Sequence, residues 1–217
     1  LALIVMDRLN GCRSIYDVMD DFPSFYSGLS RFAMQHREKT LVRQVSVILT
    51  SSTTLKHRWS IFRNDVELVH NGLDLDILPP LRLCSHDNER KVLGYVGTIA
   101  AWFDWEWVIA LANVRPQDIV RLIGPVFSTV PAVLPQNIEI LPPCNHQAAL
   151  LAMQEFDVGL IPFKKILLTE SVDPIKYYEN RALGLPVLST DFGEMALRKS
   201  TDGTYLSRGV ADVGEVA

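Results

Sequence analysis

Cysteine is scarce in this chain: Cys12, Cys84 and Cys144 are the three among 217 residues. Widely spaced single thiols make neither a disulfide framework nor a zinc pattern, and they suit a reducing compartment. Long apolar runs are also missing. The opening LALIVM is closed at once by Asp7 and Arg8, far short of the roughly 20 residues a membrane-spanning helix needs. It reads as a buried strand rather than a signal peptide. Positive charge is not in excess, with 21 Lys and Arg against 25 Asp and Glu, a net charge of −4 and a pI near 5.7. That balance argues against a nucleic-acid-binding surface. The chain has no internal repeat, no low-complexity tract and no G-x-G-x-x-G. Its five histidines, at 36, 57, 70, 86 and 146, do not fall at ligand spacing, so no metal site is legible.

What remains is 48% hydrophobic and 21% charged, ordinary for a globular protein. The length allows one large domain or two small ones. Residues 1–75 alternate strand and helix: strands over 1–6, 14–19, 44–50 and 67–70, with helices over 27–43 and from the 51–53 caps to Trp59. Leu29, Phe32, Ala33, His36 and Thr40 share one face of the longer helix, which makes His36 a packed histidine. Asn71–Asp74, reading NGLD, is a turn. Residues 76–90 form a linker, broken by Pro79 and Pro80 and ending polar. The rhythm then restarts over 91–217, with strands over 91–98, 118–124, 138–141, 156–162, 185–190 and 203–206. Asp104 caps a helix with Trp105, Val108, Ile109 and Ala112 on its inner face, and Asn145 caps another reaching Glu155. Such alternation implies an α/β fold, a parallel sheet covered by helices on both faces.

The segment 171–190, SVDPIKYYENRALGLPVLST, organises the second half. Asp173 is placed to cap a helix, Pro174 suits its first position, and Gly184 its end. Ile175, Tyr178, Ala182 and Leu183 share one face, with Glu179 in its middle. A carboxylate on a core-facing stripe is unfavourable unless something donates to it. Lys176, a cation in the first turn, opposes the helix dipole and makes better sense beside an anion. Lys176 and Glu179 also stand at i, i+3, the spacing of an ordinary surface pair. Gly97 and Thr98 close a strand before a helix, either as a tight turn or as backbone open to a phosphate. Asp20 and Asp21 end another predicted strand, either capping a turn or standing where α/β folds place ligand sites. Trp102, Phe103, Trp105 and Trp107 read as packing residues, with Trp102 or Phe103 placed to touch a base or sugar.

Pro174, Lys176, Glu179, Ala182, Gly184, Pro186 and Val187 spell P-x-K-x-x-E-x-x-A-x-G-x-P-V, which resembles the donor-site segment of GT-B glycosyltransferases, family 4 or group 1. Asn71, Gly72 and Asp74 resemble that family's turn before the interdomain crossing. The resemblance implies a Rossmann-like donor domain over 91–217 and the last part of a second Rossmann-like domain over 1–75. It implies a metal-independent, retaining transfer of sugar from a UDP- or GDP-linked donor to a glycan or lipid-linked acceptor, in cell-surface polysaccharide synthesis. No cofactor is implied beyond the nucleotide-sugar. Glu179 would hold the ribose, Lys176 the departing diphosphate, Gly97 and Thr98 the phosphate, and Asp173 and Pro174 would line the donor site. Asp21 would serve as an acceptor-side base. The family's first acidic residue falls at Ser171, a departure. The expected location is cytoplasmic, or the cytoplasmic face of a membrane reached through a missing N-terminal portion. Two alternatives share the architecture: a sugar-nucleotide 2-epimerase and a non-catalytic nucleotide-sugar-binding module.

Overall fold

The computed structural model describes residues 13–80, 89–198 and 202–217. The strand expected over 1–6 and most of the linker lie outside the described residues. The chain divides into two compact units, Leu1–Asn71 with Leu167–Asp173, and Gly72–Ile166 with Pro174–Ala217. The division thus falls after Asn71, and a short segment from the second half returns to the first unit.

The first unit holds three parallel strands, β1 (Ile15–Val18), β2 (Val47–Thr50) and β3 (Val66–Leu68), in the order β1-β2-β3. Helix α1 (Gly28–Gln44) joins β1 to β2, and α2 (Thr53–Ser60) joins β2 to β3. Ser52 caps α2 by accepting from the Leu55 N–H at 3.3 Å, which supplies one of the orphan donors of the first turn. Val18, Val42, Ile48, Leu55, Trp59 and Val66 form the core.

Helix α1 corrects the sequence reading. Leu29 is 88% and Phe32 69% exposed, and Ala33 and His36 are exposed with them. Glu38 and Val42 face the sheet instead. The polar residue on the packing face is explained by Tyr16, whose hydroxyl donates to Glu38 Oε1 at 2.7 Å. A buried acceptor with a donor in place carries little of the desolvation penalty that hydrophobic patterning assumes.

The second unit is a six-stranded, all-parallel sheet: β4 (Val92–Val96), β5 (Ile119–Ile123), β6 (Ile138–Leu141), β7 (Val158–Ile161), β8 (Val187–Thr190) and β9 (Thr204–Ser207). Their order is β6-β5-β4-β7-β8-β9. This is the doubly wound arrangement, and it reverses between β4 and β7, where a crevice opens at the carboxyl ends of the strands. Helices α3 (Trp105–Val114), α4 (His146–Met153), α5 (Ile175–Ala182) and the short α6 (Val213–Val216) complete the unit. Helix α6 was not expected from the sequence. Asp104 and Asn145 cap α3 and α4 as expected, accepting from Trp107 N–H at 3.1 Å and Ala148 N–H at 2.9 Å.

Two apolar clusters cover the sheet. Trp105, Trp107, Val108, Leu111 and Ala112 of α3 pack with Leu93, Tyr95, Val120 and Leu122. Ala149, Leu150 and Met153 of α4 pack with Val96, Ile123, Phe156 and Leu185. On α3, Trp107 and Leu111 hold core places, whereas Ile109 is half-buried. Phe103 is fully buried, stacked edge-on against Trp105 with ring centroids 4.9 Å apart, so it is core rather than a ligand contact.

Gly94 in β4 has no room for a side chain, because an added Cβ would lie 2.2 Å from the Phe156 ring. Gly94→Ala is therefore expected to destabilise by about 1–3 kcal/mol through overpacking. Gly72→Ala, where nothing lies within 4 Å of the added atom, should leave the melting temperature nearly unchanged. Thermal denaturation of the two variants checks this.

Candidate functional site

The entry to α5 departs from expectation. Asp173 does not cap it. Pro174 is the residue at the cap position, with extended backbone at φ −76° and ψ 122° and no side-chain cap. Asp173 therefore stands one residue before the cap position. Its buried carboxylate accepts from the Asn71 backbone N–H at 2.9 Å and lies 3.4 Å from His70 Nδ1. Its carbonyl accepts from the Asn71 amide at 2.5 Å. Asp173 thereby ties Asn71 to the returning segment within the first unit. Two residues earlier, Ser171 is fully buried and its hydroxyl has no hydrogen-bond partner.

The buried stripe of α5 is Tyr177, Glu179 and Asn180, while Ile175 is exposed and Tyr178 and Ala182 are half-buried. The cause lies in β7. Gly159 lacks the Cβ that would sit 2.1 Å from Asn180 Oδ1, so the helix turns that side to the sheet. Glu179 is buried with it, at 2% exposure. Its Oε2 accepts from Lys176 Nζ at 2.7 Å, and its Oε1 lies 2.8 Å from His146 Nε2. The Lys176 and His146 side chains are 26% and 53% exposed. The carboxylate is hidden, but the groups that hold it are accessible. Each carboxylate oxygen has two lone pairs, so each keeps one acceptor position.

His146 was set aside in the sequence because no histidine pair had ligand spacing. It is 33 residues from Glu179, and no local periodicity links them. The available signal was Asn145, whose capping role puts His146 at the opening of a helix. His146 also lines a cavity of about 560 Å³ with Leu78, Pro79, Pro80, Gln147 and Leu150. The Glu179 cluster therefore adjoins a roomy hollow in the same unit, whose apolar walls are joined by the polar Asp76 and Gln147.

Beside the switch point, β4 and its neighbour β5 are each followed by a glycine, Gly97 and Gly124. A Cβ on Gly124 would lie 2.1 Å from the Gly97 carbonyl oxygen, and one on Gly97 would lie 2.7 Å from the Tyr95 hydroxyl. The two strand ends thus meet as bare backbone. The Gly97 N–H is committed to the Ile123 carbonyl at 2.9 Å. The Thr98 carbonyl accepts from the Tyr95 hydroxyl at 2.9 Å, and no hydrogen bond engages the Thr98 N–H or hydroxyl among the described residues. Of the expected pair, Thr98 is the one with a donor to offer.

In the first unit, Asp21 is 3% exposed. Arg58 grips it with two bonds, Nη1 to Oδ1 at 2.6 Å and Nη2 to Oδ2 at 3.1 Å, and the Ser24 hydroxyl also donates to it. Both carboxylate oxygens are thereby committed to donors within the first unit. This geometry disfavours the base role and suits a structural one. Its neighbour Asp20 has a carboxyl raised above the usual range, first by burial and then by the charge of Asp21. Among the described residues, no group of three or more His, Cys, Asp or Glu is placed to hold a metal ion. None of the described helices is long and apolar enough to cross a membrane, and Cys144 is free and exposed.

The fold is that of the GT-B glycosyltransferases. Crystal structures with the same architecture include Anabaena HepE in complex with UDP and glucose, with TM-score 0.59, 16% identity, and coverage of 85% of this chain and 55% of that one. Sucrose-phosphate synthase from Thermosynechococcus elongatus matches with TM-score 0.62 and 13% identity over 99% of this chain and 60% of that one. A mutant of S. aureus TarM, in complex with Fondaparinux, alpha-GlcNAc-glycerol and UDP, matches with TM-score 0.64 and 10% identity over 95% and 43%. Among curated sequences, the chain is similar to "Putative teichuronic acid biosynthesis glycosyltransferase TuaH" of Bacillus subtilis, 26% identical over 199 residues, or 82% of this chain and 50% of the relative. The chain thus spans about half the length of that relative. No protein-family profile matches it.

Removing either partner of Glu179 leaves a buried carboxylate with a single donor. Lys176→Ala and His146→Ala are each expected to lower stability, Lys176→Ala by about 1–3 kcal/mol because its charge-assisted bond is lost outright. Urea unfolding of the two variants measures the difference.

Proposed function

We propose that this chain carries the donor-binding side of a glycosyltransferase that uses a UDP- or GDP-linked sugar. The acceptor in this reading is a glycan or lipid-linked saccharide of a cell-surface polysaccharide, and the likeness to TuaH supports that direction. The observation that carries the reading is Glu179, a buried carboxylate held at its two oxygens by Lys176 and His146 beside a roomy hollow.

Vicinal ribose hydroxyls are matched donors for the two acceptor positions Glu179 keeps, as in other ribose-binding carboxylates of doubly wound folds. The adjoining hollow has walls of Leu78, Pro79, Pro80 and Leu150, which suit the flat apolar face of a base. Lys176 supplies positive charge for the diphosphate, and the Thr98 N–H lies at the switch point, where phosphates are bound in such sheets. In the transfer, the bond from the anomeric carbon to the diphosphate oxygen breaks. An acceptor hydroxyl oxygen bonds to that carbon and gives its proton to the departing diphosphate oxygen. Negative charge grows on the departing diphosphate, and a fixed cation aimed at it lowers the barrier. We propose that Lys176 does this without a metal, and that the anomeric configuration is retained.

Glu179→Gln replaces one acceptor oxygen by an NH₂ donor. Loss of charge-assisted bonds costs about 1.5–3 kcal/mol, or about ten- to a hundredfold in nucleotide-sugar affinity. The melting temperature should fall as well, because the bonds to Lys176 and His146 weaken. Affinity is therefore the discriminating quantity in calorimetric titration, and unchanged binding would remove the ribose role. Lys176→Ala should weaken binding of the nucleoside diphosphate far more than that of the nucleoside. An equal effect on both ligands would contradict the diphosphate role.

A further inference from the structure

A second cavity, of about 270 Å³, lies in the first unit, lined by residues of α1, α2 and the Phe22–Phe25 turn. Arg31, Gln35, Glu38 and Lys39 line it from α1. These fall at i, i+4, i+7 and i+8, one stripe of a helix. Trp59 and Phe62 line it from α2 and the turn that follows, and Leu167 comes from the returning segment.

The charges in this cavity do not cancel. Asp21 is neutralised by Arg58 through two bonds. Glu38 accepts from the Tyr16 hydroxyl, and burial pushes its carboxyl up, a shift only partly countered by that bond. Arg58 is thereby accounted for. Among the described residues, no carboxylate pairs with Arg31 or Lys39. The Lys39 ammonium lies 5.7 Å from the centroid of the Phe62 ring. Two cations therefore border a hollow whose remaining walls combine Glu38, Gln35 and the Asp21–Arg58 pair with apolar Trp59, Phe62 and Leu167. Low-dielectric walls strengthen the field of such cations and favour an anion of matching size. A guanidinium adds two parallel donors suited to phosphate or carboxylate.

We propose that this cavity binds an anionic headgroup, a phosphate or carboxylate, on the acceptor, with Arg31 and Lys39 as its ligands and Trp59 and Phe62 against its apolar part. The volume admits such a head and the first carbons behind it. The word acceptor rests on the glycosyltransferase reading, whereas the anion site rests on the cavity alone. The two sources of this chemistry are the phosphate of a lipid-linked saccharide and the carboxylate of a uronic acid.

Calorimetric titration of the whole chain at low ionic strength separates the possibilities. The probes are octyl phosphate, glucuronate, neutral octyl glucoside and UDP, each on the native chain and on Arg31→Gln/Lys39→Gln. The expected result is that octyl phosphate or glucuronate binds and octyl glucoside does not. The double variant should weaken that binding about tenfold or more, with melting temperature and UDP affinity unchanged. Preference for octyl phosphate identifies a lipid-linked source, and preference for glucuronate a uronic-acid source. Anion binding no better than octyl glucoside, or full affinity in the double variant, overturns the proposal. If UDP does not bind but the variant-sensitive anion binding persists, the anion site stands and its assignment to an acceptor falls.

Discussion

Burying the Glu179 carboxylate is unfavourable unless donors come with it, and much of the local structure follows from that one condition. Lys176 reaches it from one turn earlier in the same helix, and His146 from the opening of a different helix. Gly159 in β7 lets Asn180 approach the sheet and so sets the rotation of α5 that hides the carboxylate. Asn145 caps α4 and thereby fixes where His146 begins it. A doubly wound sheet brings these helix openings to its carboxyl edge, because each follows a parallel strand. The chemistry of the site is thus a consequence of topology together with a few small residues that permit close packing.

The two units solve their polar burial differently. In the second, the buried acid is held by groups that remain accessible, a design that leaves the partners available to a ligand. In the first, Asp21 and Asp173 are closed off by Arg58, Ser24 and Asn71, and Glu38 by Tyr16. Those contacts pin loops and a helix rather than present a reactive group. Satisfied buried carboxylates of this kind specify a conformation.

Local signals in the sequence were legible, and distant ones were not. The caps at Ser52, Asp104 and Asn145 were read correctly, because a cap and its acceptor lie within one turn. The parallel strands from β4 to β9 were placed by apolar runs and glycine or proline stops. The strand order that creates the switch point has no local signature. Asp173 was misread as a cap because its true partner, Asn71, is 102 residues away. The inward face of α1 was misread because Tyr16 makes Glu38 tolerable there, and hydrophobic periodicity cannot register a hydrogen bond. Glu179 itself stood out as a misplaced charge. The resemblance supplied the role proposed for it, while the structure supplied His146 as its neighbour.

The central claim is that the second unit holds a nucleoside diphosphate between the β4 loop and the openings of α4 and α5. Hydrogen–deuterium exchange of the whole chain with and without saturating UDP or GDP tests it most directly, since bound ligand suppresses local opening. The account predicts slowed exchange at 97–99, 146–149 and 175–179, with the first unit largely unchanged. No slowing with either nucleotide, or slowing confined to the first unit, would contradict it.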